Sequence, residues 1–380
     1  MSLDSAEAAQ PRMLVLARES RGWKQGDVAK TMKELDIEPD SKVSQAYVSR
    51  AESGRLVVSG DRLELYASAL GYPPELLTLD RGEVGAGVGL IHHRKKQAVT
   101  APDLRRIHAI LNLTRVQLAG LVDGVPRSPE TKIPQVAVDD YTSPEEAADA
   151  VRADWGVPCG PLDSVLDALE AAGGLVLVRP LLPPSPLDSG NESVPVDAVS
   201  SCTADEDPIV LLNAGTPGDR QRFTLAHELG HMVMHAVPHP DQEKQANRFA
   251  AQLLMPARDI RPSFKGTVDL RLLVALKEQW RVSMWALLRR AHTLGEISDW
   301  QYRTLAVEMT SLGYRTTEPG VLEPEQPAAV RAAVNWRLGH GTNIDALARA
   351  TLLRSEEFTH LYLDSTPGLP IPTIAAEVRE

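Results

Sequence analysis

Residues 223–235 have the sequence FTLAHELGHMVMH, and this stretch decides the central fold. His227 and His231 are four residues apart, so on a helix their imidazoles share one face and can bind one metal ion. Glu228 follows the first histidine and is placed to take a proton from water rather than to bind the metal. The pattern is HExxH, and Gly230 within it permits close approach of a second element. The alternative interpretation is a core helix with two structural histidines.

A catalytic zinc site needs a third protein ligand and one open position. The longer HExxHxxGxxH motif is excluded, because this chain has methionine and valine where that motif has its glycine and third histidine. A second helix is predicted over QEKQANRFAAQLLMP, residues 242–256, from which Glu243 can point back at the two histidines. We predict Glu243 as the third ligand, with His235 and His239 as alternatives. Zinc is the expected ion, while manganese and iron stay open from the ligand types.

Length and composition limit the class of protein. The chain has 380 residues, which favours two or three domains, and a formal net charge of −11. This charge argues against non-specific coating of nucleic acid, which needs a broad cationic surface, but it allows a small specific DNA reader. Two cysteines without CxxC spacing encode neither a disulfide framework nor a thiolate zinc site. With no signal peptide and no apolar run of ~18 residues, we expect a cytoplasmic protein without a membrane segment.

Apolar, β-branched runs precede the HExxH stretch and predict a short sheet. They are GLVLVRPL from Gly174, VDAVSSC from Val196 and PIVLLNA from Pro208. Ser143 and Glu146 have the spacing of a capping box at the start of a helix. Thr216 is predicted to cap the HExxH helix, which should continue to about His235. Helical patterns follow residue 256, including two near the end of the chain, at 327–337 and 344–362.

The N-terminal region predicts three short helices. Two lie within MLVLARESRGWKQGDVAKTM, residues 13–32, with Gly22 between them, and the third lies within KVSQAYVSRAESG, residues 42–54. Ser44 is a plausible N-cap of the third helix, and Gly54 is its terminator. The exposed side of that helix would present side chains short or forked enough to reach base edges and phosphates in a major groove. These are Gln45, Ala46, Ser49 and Arg50.

The pair RFTLAHELGH and EKQANRFAAQLLMP closely resembles the ImmA/IrrE family of metallopeptidase-like domains, over about residues 140–295. The resemblance implies a zincin-like fold and a gluzincin-like zinc metalloendopeptidase with Glu228 as general base. The implied ligands of Zn²⁺ are His227, His231 and Glu243. It also implies a protein substrate, often a transcriptional repressor. Gln245 stands where the family frequently has an acidic residue, and we expect no effect of this difference on the metal.

The N-terminal helices resemble the XRE-type (Cro/C1 phage-repressor-like) helix-turn-helix family over about residues 11–79. The resemblance implies that Gln25, at the start of the second helix, contacts the DNA backbone. It implies that the recognition helix carries Gln45, Ser49 and Arg50. Glu52 is expected to pair with Arg18 inside the domain. The connection KELDIEPDSK is longer and more acidic than the tight turn of the family, which affects the expected docking angle. A helical bundle used only for dimerisation is the alternative.

The predicted fold class is mainly α with a small α+β zincin-like domain. The N-terminal part is an all-α λ-repressor-like helix-turn-helix domain, and the central HExxH domain contains a short β-sheet. The expected divisions are a DNA-binding domain at 11–80, a helical linker region at 81–139, the ImmA/IrrE metallopeptidase-like domain at 140–295 and a helical C-terminal region at 296–380.

These features predict a DNA-binding transcriptional regulator whose zinc-dependent domain senses a signal or cleaves a regulator protein. The alternative is a non-catalytic ligand-sensing or antitoxin-like transcription factor, in which the metal domain only binds a ligand or partner. The expected partners are specific double-stranded DNA and a protein substrate or partner regulator. A homodimer is expected because such repressors read two-fold related half-sites, with the C-terminal region as candidate interface. The basic run HHRKK at 92–96 either adds a phosphate contact or is a solvated stretch.

Overall fold

The computed structural model describes residues 8–36, 42–80, 92–93, 99–127, 132–139, 141–157, 159–182, 196–202, 206–237 and 239–364. Over these ranges the chain is mainly helical with one small sheet, which confirms the predicted fold class. None of the helices in these ranges has the length and apolar character needed to cross a membrane.

The first five helices form the N-terminal module. They are α1 (Pro11–Ser20), α2 (Gln25–Leu35), α3 (Gln45–Glu52), α4 (Asp61–Leu70) and α5 (Pro74–Thr78). Gly22 adopts a φ of 72° between α1 and α2, a conformation that favours glycine. The Ser44 hydroxyl accepts a hydrogen bond from the Tyr47 amide at 3.2 Å, so the predicted cap of α3 is confirmed. Val43 and Val48, on either side of this cap, are both buried.

Four helices distant in sequence pack onto this module. They are α6 (Ala101–Val122), α15 (Ala329–Gly339), α16 (Ile344–Ala350) and α17 (Ser355–Tyr362), and their apolar side chains join the core of the N-terminal module. The contact between α6 and α16 is close, since a Cβ atom added at Gly120 would lie 1.9 Å from the Ala350 carbonyl oxygen. The helical pattern at 344–362 forms two helices, α16 and α17. Leu352, with a φ of 54°, turns the chain between α16 and α17.

The sheet contains all three strands predicted from the sequence and one more. The strands are β1 (His92–His93), β2 (Leu175–Arg179), β3 (Ala198–Ser201) and β4 (Ile209–Asn213), in the order β1-β3-β4-β2. β2 and β4 are parallel, and β3 is antiparallel to both β4 and β1. The backbone of His92 and His93 therefore pairs within the sheet, which neither interpretation of the basic run predicted; residues 94–96 lie outside the described ranges.

The sheet separates two hydrophobic cores. On β4, Ile209 and Leu211 belong to the core of the N-terminal module, α6 and α15–α17. The alternate residues Val210 and Leu212 belong to the core of the central helices on the other face. Burial of both faces explains why the strands are continuous apolar runs rather than alternating ones.

The central helices cover the second face of the sheet. They are α7 (Pro144–Asp154), α8 (Val165–Ala171), α9 (Gly218–Met234), α10 (Gln242–Leu254), α11 (Ala257–Ile260), α12 (Leu270–Trp280), α13 (Met284–Thr293) and α14 (Asp299–Ser311), with a 3₁₀ turn at Arg261–Phe264. Ser143 and Glu146 form the predicted capping box. The predicted cap of α9 was wrong. The residue before the helix is Pro217, and the Thr216 hydroxyl instead donates to the Asn213 carbonyl at 2.9 Å.

Residues 312–328, here named the strap, connect α14 to α15 across the central helices. The Glu318 carboxylate accepts hydrogen bonds from the Lys277 ammonium and from the first backbone amides of α13. The Glu325 carboxylate pairs with the buried Arg222 guanidinium and accepts from a backbone amide at the start of α8. Both carboxylates thus lie at helix N-termini, where negative charge is favoured.

Candidate metal centre and DNA-reading helix

Three side chains from α9 and α10 converge at one point. The Nε2 atoms of His227 and His231 are 3.1 Å apart. The two carboxylate oxygens of Glu243 lie 3.4 Å from His227 Nε2 and 3.2 Å from His231 Nε2. Both histidines are fully buried, whereas the Glu243 side chain is 46% exposed. The cluster is therefore closed on the histidine side and open to solvent on the carboxylate side.

The spacing of these donor atoms fits a tetrahedral metal ion. With metal–nitrogen bonds of about 2.0–2.1 Å, two ligand atoms of a tetrahedral site lie about 3.3 Å apart. The separation of 3.1 Å between the two Nε2 atoms is close to this value, and each Nε2 has a different Glu243 oxygen at 3.2 or 3.4 Å. Burial lowers the pKa of His231 to about 4, so its imidazole is neutral, the form that binds a metal. Within the described ranges the cluster has three members, which leaves a fourth position for water or substrate.

A chain of hydrogen bonds fixes the orientation of His231. Gln245 Oε1 accepts from His235 Nε2 at 2.8 Å, so the neutral His235 ring has its proton on Nε2. His235 Nδ1 is then an acceptor, and it lies 3.0 Å from His231 Nδ1. The His231 proton accordingly sits on Nδ1, and its Nε2 presents a lone pair to the cluster. Burial also lowers the pKa of His235, which favours the neutral ring that this arrangement requires.

The two alternative ligands named from the sequence lie elsewhere. His235 contacts the far side of the His231 ring rather than the converging Nε2 atoms. His239 is exposed, and its Nδ1 accepts from the Asp241 amide in the turn before α10. Of the three candidates, Glu243 alone reaches both histidine Nε2 atoms. The orienting role of His235 and Gln245 was not predicted from the sequence, where Gln245 was noted only as a difference from the family pattern.

Glu228 is buried beside the cluster and is held by the sheet. Its carboxylate accepts a hydrogen bond from the hydroxyl of Ser200 on β3. Ser200 lies on the sheet face that points toward α9, since its neighbour Val199 belongs to the opposite core. Sequence reasoning did not identify Ser200, because a serine in a strand carries no local signal of its long-range partner.

Close packing of α9 against α10 brings Glu243 to the histidines. A Cβ atom added at Gly230 would lie 2.9 Å from Phe249 Cδ1, so this position has no room for a side chain. The sequence expectation that Gly230 permits close approach is confirmed. Cys202, directly after β3, packs against the central core and is half-buried, and burial raises the pKa of its thiol.

The predicted DNA-reading surface is exposed on α3. All four predicted side chains point to solvent; they are Gln45, Ala46, Ser49 and Arg50. Arg18 donates to Glu52 at 2.6 Å, which confirms the internal ion pair. Gln25 is half-buried, and its amide donates to the same Glu52 carboxylate at 2.9 Å. This bond joins the start of α2 to the end of α3, and it orders the Gln25 side chain for which a DNA-backbone contact was predicted.

The two regions match separate family models. Residues 12–79 match a helix-turn-helix domain, and residues 191–292 match the IrrE N-terminal-like domain. The chain joins a helix-turn-helix domain to an ImmA/IrrE-like domain. None of the curated proteins matches it.

The ImmA/IrrE-like match spans β3, β4, α9 and α10, which supply the metal cluster, Glu228, Ser200 and Gln245, and it includes His235 directly after α9. The helix-turn-helix match spans α1–α5. Together they describe a DNA-binding regulator with a metallopeptidase-like domain. The four-part division of the chain at residues 80, 139 and 295 stays a prediction.

Proposed function

We propose that this DNA-binding regulator binds a divalent metal, by expectation Zn²⁺, at His227, His231 and Glu243 and hydrolyses a peptide bond in a regulator protein. The observation that carries the proposal is the convergence of two buried imidazoles and one carboxylate, whose ligand atoms lie within 4.8 Å of one another, next to a buried glutamate. His231 is buried, and its hydrogen bond with His235 fixes the orientation of its ring. Both features support a preformed metal site.

The residues around the cluster have distinct roles in this proposal. A divalent ion in the site supplies Lewis acidity. Glu228 takes a proton from the attacking water while the water oxygen bonds to the carbonyl carbon. Glu228 then gives this proton to the amine nitrogen when the carbon–nitrogen bond breaks. Ser200 holds the Glu228 carboxylate in one orientation. The exposed side of Glu243 marks the direction from which a polypeptide would enter.

The DNA-binding role rests on α3. Gln45, Ser49 and Arg50 are proposed to contact base edges and phosphates, with Gln25 contacting the backbone beside them. Two-fold related half-sites would require a homodimer. The exposed side chains of Trp300 and Val307, two helical turns apart on one face of α14, support a dimer interface in the C-terminal region.

A non-catalytic ligand-sensing regulator is the second candidate function. A large cavity beside the metal cluster supports it, because a sensor needs a ligand site and need not hydrolyse a bond. An antitoxin-like factor whose metal domain only binds a partner belongs to the same class.

Comparison of wild type with Glu228→Gln tests the peptidase. The variant keeps the metal ligands and an acceptor for Ser200, but glutamine cannot take a proton. New protein N-termini are mapped by mass spectrometry in cells that express either protein at equal level. We expect one or a few cleavage sites, in a regulator or in this chain itself, that occur only with wild type. Identical profiles, with equal metal content in the two proteins, would favour the non-catalytic candidate.

Selection of duplexes from a random DNA library tests the DNA reader. We expect a sequence with two-fold related half-sites. Arg50→Ala should weaken binding to the selected duplex by about 1–3 kcal/mol. Arg271→Ala, an exposed arginine on α12, is the control and should leave the affinity unchanged. Failure to enrich any sequence would contradict specific recognition.

A further inference from the structure

A cavity of about 1140 Å³ lies between the central helices and the strap. Its walls are the start of α9, the exposed side of α10, the α12–α13 pair and strap residues 314–326. The volume is at the upper end of the range for small-molecule sites in proteins. None of the three metal-cluster residues lines it, although Phe223 and Asn247 lie one helical turn from His227 and Glu243. The cavity is thus a neighbour of the metal site and separate from it.

The cavity wall is cationic in an acidic protein. Seven arginines and lysines and four carboxylates line it, an excess of three positive charges, whereas the whole chain has a net charge of −11. The cations are Arg220, Lys244, Arg248, Lys277, Arg289, Arg290 and Arg315, and the acids are Glu145, Asp197, Asp219 and Glu318. A concave wall with this excess attracts anions.

Arg289, Arg290 and Arg315 have no carboxylate ion-pair partner within the described ranges, whereas the other four cations are paired. Arg290 is almost fully buried and donates to the Gln252 amide oxygen and the Met255 carbonyl, both neutral. Burial lowers its pKa to about 10, against the attraction of the more distant Glu145 and Asp149. A buried cation with neutral partners costs free energy that a bound anion would partly restore.

The other two cations line the cavity together with Trp285. The Arg315 guanidinium carbon lies 5.7 Å from the centroid of the Trp285 ring. Arg289 is one turn after Trp285 on α13 and is exposed. The indole is itself fixed, since its Nε1 donates to the Tyr314 carbonyl of the strap at 2.9 Å. The ring thus lies in the same cavity wall as two guanidinium groups without a carboxylate partner in the described part of the chain, of which Arg315 donates to the Thr310 hydroxyl at 3.2 Å.

The remainder of the wall has a substantial apolar part. Phe223, Met255, Leu322 and Val321 contribute it, and Val321 is 80% exposed on the strap. An apolar wall with a few cations suits a molecule that has a hydrophobic body and one acidic group. A small inorganic anion would leave the apolar part of the wall unused.

We propose that this cavity binds an amphipathic organic anion, with its apolar body against Phe223 and Trp285 and its acidic group recognised by Arg289 and Arg315. The site goes beyond the proposed peptidase, and it stands whether or not the metal centre hydrolyses peptides. The strap that forms one wall leads directly into α15, whose buried residues belong to the core of the DNA-reading module.

Two dyes that share one hydrophobic body test the proposal. 8-Anilinonaphthalene-1-sulfonate carries an acidic group, and N-phenyl-1-naphthylamine is its neutral counterpart. Each is titrated into the full-length protein and followed by fluorescence. We expect one sulfonate dye per chain, bound at least tenfold more tightly than the neutral dye. Equal affinities, or several weak sites per chain, would overturn the proposal.

Substitutions of cavity arginines test where the dye binds. Arg289→Ala combined with Arg315→Ala should weaken the sulfonate dye at least tenfold and change the neutral dye less than twofold. Arg271→Ala combined with Arg303→Ala, two exposed helical arginines outside the cavity, should change neither. If both pairs have the same effect, the dye reports general surface charge and the site is refuted.

A second substitution tests the cavity without removing charge. Ala286 lines it from α13, and Ala286→Trp should block both dyes while the circular dichroism spectrum stays that of wild type. Unchanged dye binding in this variant would contradict the location. Glu243→Ala should retain the dye, so a failed metal site and a failed anion site give different results.

Discussion

Gly230 sets how closely α10 approaches the metal-binding helix, and its replacement by alanine tests that packing. The added Cβ atom would lie 2.9 Å from Phe249 Cδ1 and 3.3 Å from Phe249 Cβ. Rotation of the ring does not relieve the second contact, and Phe249 is fully buried. Overpacking of this kind costs about 1–3 kcal/mol, while replacing a helical glycine recovers at most about 1 kcal/mol. With the middle of the overpacking range less the recovered propensity, we expect Gly230→Ala to lower the local stability of α9 and α10 by about 1 kcal/mol.

Hydrogen exchange measured by mass spectrometry on metal-free protein gives this local free energy for each helix. Gly339→Ala is the matched control, since its added carbon meets no heavy atom within 4 Å. It should leave α15 unchanged or slightly more stable. The variant at 230 should also bind zinc more weakly, because α10 carries Glu243. Wild-type exchange in α9 and α10 of Gly230→Ala would refute the packing argument.

Two further substitutions test buried polar contacts. Glu325→Ala leaves the Arg222 guanidinium, 1% exposed, without its carboxylate, so it should cost about 3–5 kcal/mol in hydrogen exchange of α8 and α9. Glu323→Ala, at an exposed position two residues earlier, is the control and should cost less than about 0.5 kcal/mol. A similar loss of stability in the two variants would contradict the ion-pair account. Gln245→Leu removes the acceptor for His235 and should weaken zinc affinity about 10–100-fold, whereas Gln245→Glu keeps it. Competition with a zinc-binding dye measures the zinc affinity of both variants. Equal affinities in the two variants would show that residue 245 does not orient the metal ligands.

Local features of the fold could be predicted from the sequence because each depends on a few adjacent residues. The caps at Ser44 and Ser143 were found from single side chains and their spacing. The HExxH helix and the approach of Glu243 followed from helical periodicity. The predicted cap of α9 was wrong because the helix starts one residue later than predicted, after Pro217, and the Thr216 hydroxyl donates to the Asn213 carbonyl.

Long-range features could not be predicted in this way. The pairing of His92–His93 with β3 joins segments about a hundred residues apart, and nothing in the basic run indicates a strand. The same is true of the contact between α17 and the N-terminal module, where Arg21 pairs with Glu357 at 3.0 Å. Helices α15–α17 share a core with the DNA-reading helices, and no local pattern in the sequence indicated this partner. The position of these helices depends on tertiary packing. Their amphipathic pattern indicates which face is buried but not which element that face contacts.

Metal content tests the central claim most directly. Elemental analysis is made on protein purified without added metal, for wild type, for Glu243→Ala and for Glu278→Ala as an exposed control on α12. About one zinc ion per chain is expected in wild type and in the control, and a large loss is expected in Glu243→Ala. No stoichiometric metal in wild type, or equal metal in all three proteins, would contradict a metal centre formed by His227, His231 and Glu243.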